Sequence, residues 1–212
     1  MATVWAYRVG AWTRDPSTGW SHTLEMRGLG DLMSSMDGGR LQGIVTHLAI
    51  VAHGNEPGVV QLDRTLDSTN TASTFAAELN RLRRYLTRDG MLTFFSCIAG
   101  QGEQGSELLV GLAKQLPGRT IVGFELFGLI GPSGIPNAPG NMVATEASNP
   151  QVAMDPRSQH GRLSPWCPFA KRARDGKIVH IPILEQNGRP NRTCANPRCG
   201  GHDRAGQSCA GW

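Results

Sequence analysis

Three stretches of the chain are apolar almost without interruption and rich in β-branched or aromatic residues. They are Ile44–Ala52 within GIVTHLAIVAHG, the run MLTFFSC at 91–97, and TIVGFE at 120–125. Runs of this kind fit strands buried on both faces of a parallel sheet, where neither face is left to water. Between them the period changes. Over 71–88, Phe75, Leu79, Leu82 and Leu86 recur at i, i+4, i+7 and i+11, which predicts one helix with a single apolar stripe. Arg81, Arg83, Arg84 and Arg88 fall mostly off that stripe and late in the helix, where cations suit the dipole, and Asp89-Gly90 ends it. A second helix is expected from Glu103 to Leu116, with Leu108, Leu109, Leu112 and Leu116 inward and Pro117-Gly118 as its stop.

Weaker signals fill the remainder. TVWAYRVGAW (3–12) suggests a first strand or hairpin arm, and 28–36 a short helix. Asn55-Glu56-Pro57-Gly58 is turn chemistry, followed by a short strand at Val59–Leu62. Later strands are expected at Met142–Glu146 and Lys177–Ile183. Strand–helix–strand–helix–strand with short connections predicts an α/β fold: a mostly parallel central sheet flanked by helices in three layers.

Composition sets the bounds. The chain has 212 residues, 39% hydrophobic and 18% charged, enough for one sizeable domain with an appendage. No apolar run reaches the ~18 residues that cross a bilayer, so no membrane partner is expected. Tyr7, Arg8 and Gly10 interrupt the N-terminal apolar positions, unlike a secretory signal; a cytoplasmic location with reduced thiols is the expectation. The net charge of +4 is uneven: residues 1–156 hold 11 Lys/Arg and 14 Asp/Glu, whereas residues 157–212 hold 10 and 3. Ten of the 13 prolines lie at or beyond Pro132. This divides the chain into an α/β body over 1–150 and a basic, loop-rich, Pro/Gly-rich C-terminal extension over 151–212. The basic end has no aromatic interleaving and no nucleic-acid motif, so a nucleic-acid partner is not expected. Oligomeric state is not legible.

Candidate chemistry sits at the strand ends. In open parallel sheets, sites form beyond the carboxyl ends of the strands. His53-Gly54 ends the first buried run and Ser96-Cys97 the second, with one crossover helix between them. A Cys and a His emerging on the same sheet edge can act as nucleophile and proton partner. The N–H groups of Gly54 and Cys97 are candidate oxyanion donors, and Ala99-Gly100-Gln101-Gly102 is small enough to let a peptide approach. His47 reads as structural.

HLAIVAHG (47–54) followed by MLTFFSCIAGQG (91–102) resembles the caspase–gingipain–legumain clan of cysteine peptidases. In that clan a His-Gly after one buried strand and a small residue plus Cys after the next form the dyad. The resemblance covers about residues 40–126, and His before Cys is the order it requires. It implies a caspase–haemoglobinase-like fold and an endopeptidase acting on protein or peptide substrates through a thioester. His53 would be general acid/base, Cys97 nucleophile and Gly54 an oxyanion donor, with no cofactor needed for catalysis. It also directs attention to Phe95, Ser96, Glu125 and Trp166 as substrate-binding candidates. Phe95 stands where metacaspase-like members carry an Asp that holds a basic P1 side chain. Glu125 is a candidate to favour Lys or Arg at P1, and Trp166 to wall the cleft. Two alternatives remain: an inactive scaffold or binding module on this fold, or a Cys–His amidase or transpeptidase. Separately, Cys194, Cys199, His202 and Cys209 form C-x4-C-x2-H-x6-C, a candidate set for a structural zinc ion, with a disulfide or plain thiols as the alternatives.

Overall fold

The computed structural model describes residues 1–9, 20–125 and 170–179 in full, and elsewhere only the backbone of five short strands. The chain runs β1 (Ala2–Arg8), β2 (His22–Met26), α1 (Leu29–Gly38), β3 (Val45–Val51), β4 (Val60–Gln61), β5 (Thr65–Leu66), α2 (Ala76–Leu82), β6 (Leu86–Phe95), α3 (Gly102–Gln115) and β7 (Thr120–Phe124). Then follow β8 (Phe127–Ile130), β9 (Met142–Thr145), β10 (Gln159–Arg162), β11 (Ala170–Arg174), β12 (Lys177–Val179), β13 (Leu184–Gln186) and β14 (Arg189–Asn191). The fold is mixed α/β: a mostly parallel seven-stranded sheet of order β12-β11-β7-β6-β3-β1-β2, flanked by helices. The five strands from β2 to β7 are parallel, and β11 and β12 add an antiparallel edge.

Three crossovers, β2–α1–β3, β3–α2–β6 and β6–α3–β7, step in the same direction across the sheet. A right-handed crossover then places all three helices on one face. The buried side chains agree. Val4, Ala6, Leu48, Ile50, Leu92, Phe94 and Ile121 pack in one core with Leu29, Leu32 and Met36 of α1, Leu79 and Leu82 of α2, and Leu108, Leu109 and Leu112 of α3. Removing a leucine or phenylalanine side chain of this kind from water contributes about 1.5–3 kcal/mol. The alternate positions Trp5, Ala49, Val51, Phe95, Val122 and Phe124 are buried on the opposite face. Of the three expected layers, the described residues hold two: the sheet and the helices on one of its faces.

The helix expected over 71–88 is shorter than its periodicity suggests. Only Ala76–Leu82 is helical; residues 71–75 are turns. Thr71, Ser73 and Thr74 supply hydroxyls that compete with helical hydrogen bonding. At the other end Leu86 joins the sheet, pairing with Val45, and β6 begins five residues before the expected strand. Its register then shifts between Leu86 and Met91 before settling into even pairing with β3. Tyr85, fully buried, anchors this corner: its hydroxyl donates to Asp37 at 2.6 Å and lies 3.2 Å from the Met33 carbonyl. Gln42 and Arg81 donate to the same carboxylate. The Tyr85 hydrogen bond first, then those of Gln42 and Arg81, hold Asp37 down at about 2.

Strands β2 and β11 had no signal in the hydrophobic pattern. The first is short and half exposed. The second reads AKRAR, a basic strand that pairs with β7 on one side and β12 on the other. Its pairing with β7 brings part of the C-terminal segment into the central sheet. Among the described residues, no helix is long and apolar enough to cross a membrane.

Candidate active site

The register of β3 and β6 positions the two candidate residues, His53 and Cys97. These strands are adjacent and parallel, with Ile50 opposite Phe94 and Val51 opposite Phe95. His53 and Cys97 each lie two residues beyond the last pair, so the same even register brings them level at the carboxyl edge. One further ladder bond, from the Ala52 N–H to the Phe95 carbonyl at 3.4 Å, carries the alignment past the strand ends. His53 is exposed, and its carbonyl accepts from the Gln61 N–H at 2.8 Å in an isolated antiparallel bridge. That bridge fixes the backbone and leaves the ring in water. The imidazole makes no side-chain hydrogen bond among the described residues. Cys97 is a half-buried thiol.

Gly54 is where the two strand ends touch. A Cβ built there would lie 2.3 Å from the Cys97 carbonyl oxygen, 3.0 Å from the Val59 carbonyl oxygen and 3.2 Å from the Cys97 nitrogen. Only glycine allows this approach, which presses the backbone after the histidine against the backbone of the cysteine. The Gly54 N–H donates to no group among the described residues. Two more glycines continue the squeeze. A Cβ at Gly58 would meet the Gln104 backbone at 2.5 Å, and one at Gly100 the Gly123 carbonyl at 2.6 Å.

The bend after Cys97 is strained. Ile98 adopts φ +48°, a left-handed conformation that a β-branched side chain rarely accepts. Its side chain is buried, the Gln101 N–H donates to its carbonyl at 2.9 Å, and the Gly100 N–H reaches the Phe124 carbonyl at 2.8 Å. Helix α3 then starts at Gly102. Strain of this kind persists only where surrounding packing imposes it, and it clusters at functional sites.

The remaining candidates divide. Phe95 is only 4% exposed, with its ring centroid 5.2 Å from that of Trp5 and 5.3 Å from that of Phe124. Trp5 reaches it across β3 because Ala49, opposite Trp5 in the register, is small. Phe95 is therefore floor, with little surface for a substrate to touch. Ser96 is fully buried, and its hydroxyl has no hydrogen-bond partner among the described residues. Glu125 does reach the edge, but its carboxylate pairs with Lys171 at 3.0 Å. Trp166, and the proposed ligand set Cys194, Cys199, His202 and Cys209, lie outside the described residues. Lys171 carried no sequence signal beyond belonging to a basic segment; it joins the edge only because β11 pairs with β7.

Beneath the edge, His47 contacts Thr93 Oγ1 through Nε2 at 2.8 Å, and its ring centroid lies 4.7 Å from that of Trp20. Desolvation pushes its imidazole down to about 4, so it is neutral near pH 7. This fits the structural role expected for it.

The class these features define is an α/β protein with a thiol and an imidazole at the carboxyl edge of adjacent parallel strands. Residues 28–123 match a family described as Domain of unknown function (DUF4347). The matched stretch runs from just before α1 to β7 and includes both His53 and Cys97. No curated protein matches the chain.

Proposed function

We propose that the chain is a cysteine endopeptidase with the fold of the caspase–gingipain–legumain clan, acting on peptide bonds through Cys97 and His53. The observation that carries this reading is the level emergence of the two residues from β3 and β6, with Gly54 against the Cys97 backbone. The Cys97 thiolate attacks the scissile carbonyl, and the carbonyl oxygen becomes an oxyanion facing the N–H groups of Gly54 and Cys97. The tetrahedral intermediate collapses, the C–N bond breaks, and imidazolium at His53 gives its proton to the departing amine. Water, deprotonated by the same imidazole, hydrolyses the thioester and returns the thiol. The open His53 ring suits a group that engages only when substrate is bound, since catalytic hydrogen bonds are often loose without ligand.

The test is an electrophilic peptide probe combined with product analysis. Cys97 labels in the wild type, and His53→Ala slows labelling and peptide cleavage by about 10²–10⁴-fold. Labelling at Cys97 that ignores the His53 substitution would overturn the reading in favour of a bare thiol on a scaffold. Transfer of the acyl group to an added amine in preference to water would assign an amidase-like or transpeptidase activity instead.

A further inference from the structure

Three arginines that the apolar periodicity assigns to the end of a helix lie beyond it. Helix α2 ends at Leu82, and Arg83, Arg84 and Arg88 follow as exposed residues in the turn to β6 and in its irregular first part. A fourth, Arg119, sits half-buried between α3 and β7, at the same amino-terminal edge of the sheet. Its guanidinium ties the corner together. Nη1 donates to the Pro117 carbonyl at 2.8 Å, and Nη2 to the Arg83 and Leu86 carbonyls, each at 3.1 Å. The Arg88 backbone closes on the same loop, since a Cβ at Gly118 would lie 2.7 Å from the Arg88 carbonyl oxygen.

This corner lacks counter-charge. Arg81, on the helix itself, pairs with Asp37 at 2.5 Å, and Arg174 lies 3.8 Å from Asp175. Arg83, Arg84, Arg88 and Arg119 form no ion pair among the described residues, and Asp89, the one carboxylate between positions 83 and 90, pairs with none of them. Burial first, then the charges of Arg83 and Arg88, lower the Arg119 pKa, so these guanidinium groups lie within each other's field. Like charges gathered in this way repel, and an anion laid across them relieves the repulsion. The rest of the body is acidic: residues 1–156 hold 14 Asp/Glu and 11 Lys/Arg, and four of those 11 meet here.

We propose that Arg83, Arg84 and Arg88, backed by Arg119, form a docking surface for the phosphate backbone of a nucleic-acid duplex, bound without regard to sequence. Guanidinium forks match phosphate oxygens. A duplex carries one negative charge per ~1.7 Å of its axis, so it meets all three exposed arginines whatever their spacing. A single strand relies on aromatic side chains for its bases to stack on, and a protein partner on an apolar centre. The large apolar residues between these arginines, Tyr85 and Leu86, are buried and offer neither. The surface belongs to the α/β body and not to the C-terminal extension, whose composition gives no such expectation. It also lies at the edge of the sheet opposite Cys97, since the stretch of chain from Met91 to Cys97 alone spans roughly 20 Å. The proposal is therefore independent of the peptidase reading.

The test is fluorescence anisotropy of random-sequence DNA and RNA duplexes of about 20 base pairs, titrated with the full chain between about 50 and 200 mM salt. Three neutralised phosphates contribute a slope of about −2.7 to log K against log salt, so over this range the wild type weakens about 40-fold more than the triple variant Arg83→Gln/Arg84→Gln/Arg88→Gln. Arg119 is left in place because its hydrogen bonds hold the corner. If the triple variant does not fold, Arg88→Gln alone should flatten the slope by about 0.9. An equal loss of charge from the C-terminal extension, in Arg192→Gln/Arg198→Gln/Arg204→Gln, flattens it less. Cys97 labels at the wild-type rate in the triple variant, so the result stands whether or not the chain cleaves peptides. Absence of binding to either duplex, or a slope unchanged by the substitutions at 83, 84 and 88, overturns the proposal. So does an equal or greater flattening in the C-terminal variant. Polyglutamate that displaces the duplex as well as an equal charge of unlabelled duplex would overturn it in favour of an acidic protein partner.

Discussion

Adding one methyl group at Gly54 is the most direct challenge to the geometry of the edge. The Cβ of Gly54→Ala would sit 2.3 Å from the Cys97 carbonyl oxygen, where ordinary contacts begin at 3.4 Å. All three nearest atoms belong to the backbone, so no side chain can swing away. The two strand ends must part by about 1 Å. Overpacking of this kind costs roughly 1–3 kcal/mol, and a displacement of about 1 Å at a reacting group costs on the order of 10²-fold in rate. Urea denaturation measures the first quantity, and the rate at which a peptide electrophile modifies Cys97 measures the second. The reasoning requires both to fall, with the rate falling by more than the fraction unfolded can explain. A Gly54→Ala variant of wild-type stability that labels at the wild-type rate would show that the close approach is not part of the site.

Two further outcomes follow from the titrating groups. His47 has its folded pKa lowered to about 4 against 6.5 for the free side chain, so the unfolded chain binds the proton first as pH falls. Stability is full above about pH 6.5 and declines toward pH 4, by up to about 3 kcal/mol; denaturation midpoints of the wild type and His47→Gln should converge over that window, and parallel midpoints would reject the assignment. Asp37, held at about 2 chiefly by Tyr85, contributes stability that is present above pH 3.8 and is lost as pH falls toward 2. Tyr85→Phe should bring the Asp37 titration, followed by NMR, back toward 3.8; a carboxyl that stays near 2 would mean that Gln42 and Arg81 suffice.

Much of the sheet was legible because burial on both sides leaves a simple trace. Val45–Val51, Met91–Phe95 and Thr120–Phe124 are nearly continuous apolar runs for the physical reason that both faces are largely buried, and that trace located the carboxyl edge with His53 and Cys97 on it. The α2 stripe misled because periodicity does not register where the backbone prefers another partner. Leu86 continues the helical spacing yet pairs with Val45, since a place in the sheet satisfies its backbone and buries its side chain together. Strand β11 was hidden for the opposite reason: Lys171, Arg172 and Arg174 give it the composition of a loop, although it pairs with both β7 and β12. Lys171 could reach Glu125 only through that unseen pairing. Glu125 was found from its strand-end position, but a carboxylate's position does not disclose that another residue has already neutralised it.

The same limit applies to Ile98, and there it yields a prediction of sign. Sequence propensity favours an isoleucine between Cys97 and Ala99 as one more strand residue, yet the chain turns there at φ +48°. Packing overrules the local preference: the Ile98 side chain is 4% exposed, and the Gly58 N–H reaches its carbonyl at 3.4 Å. At an ordinary buried position glycine is less stable than alanine by about 0.5–1 kcal/mol, because it surrenders more chain entropy on folding. In the left-handed region an L side chain carries a cost of about 1–2 kcal/mol that glycine avoids. Ile98→Ala and Ile98→Gly both lose the isoleucine contacts, so burial nearly cancels between them and the backbone term decides. The ordinary order should therefore invert, with Ile98→Gly the more stable of the two by up to about 1 kcal/mol in urea denaturation. It should also be the slower to react at Cys97, because a bend freed of its strain no longer holds the thiol at one place on the edge. Alanine more stable than glycine at 98 would mean that the turn is not held in this conformation, and that the fold stores no strain beside Cys97.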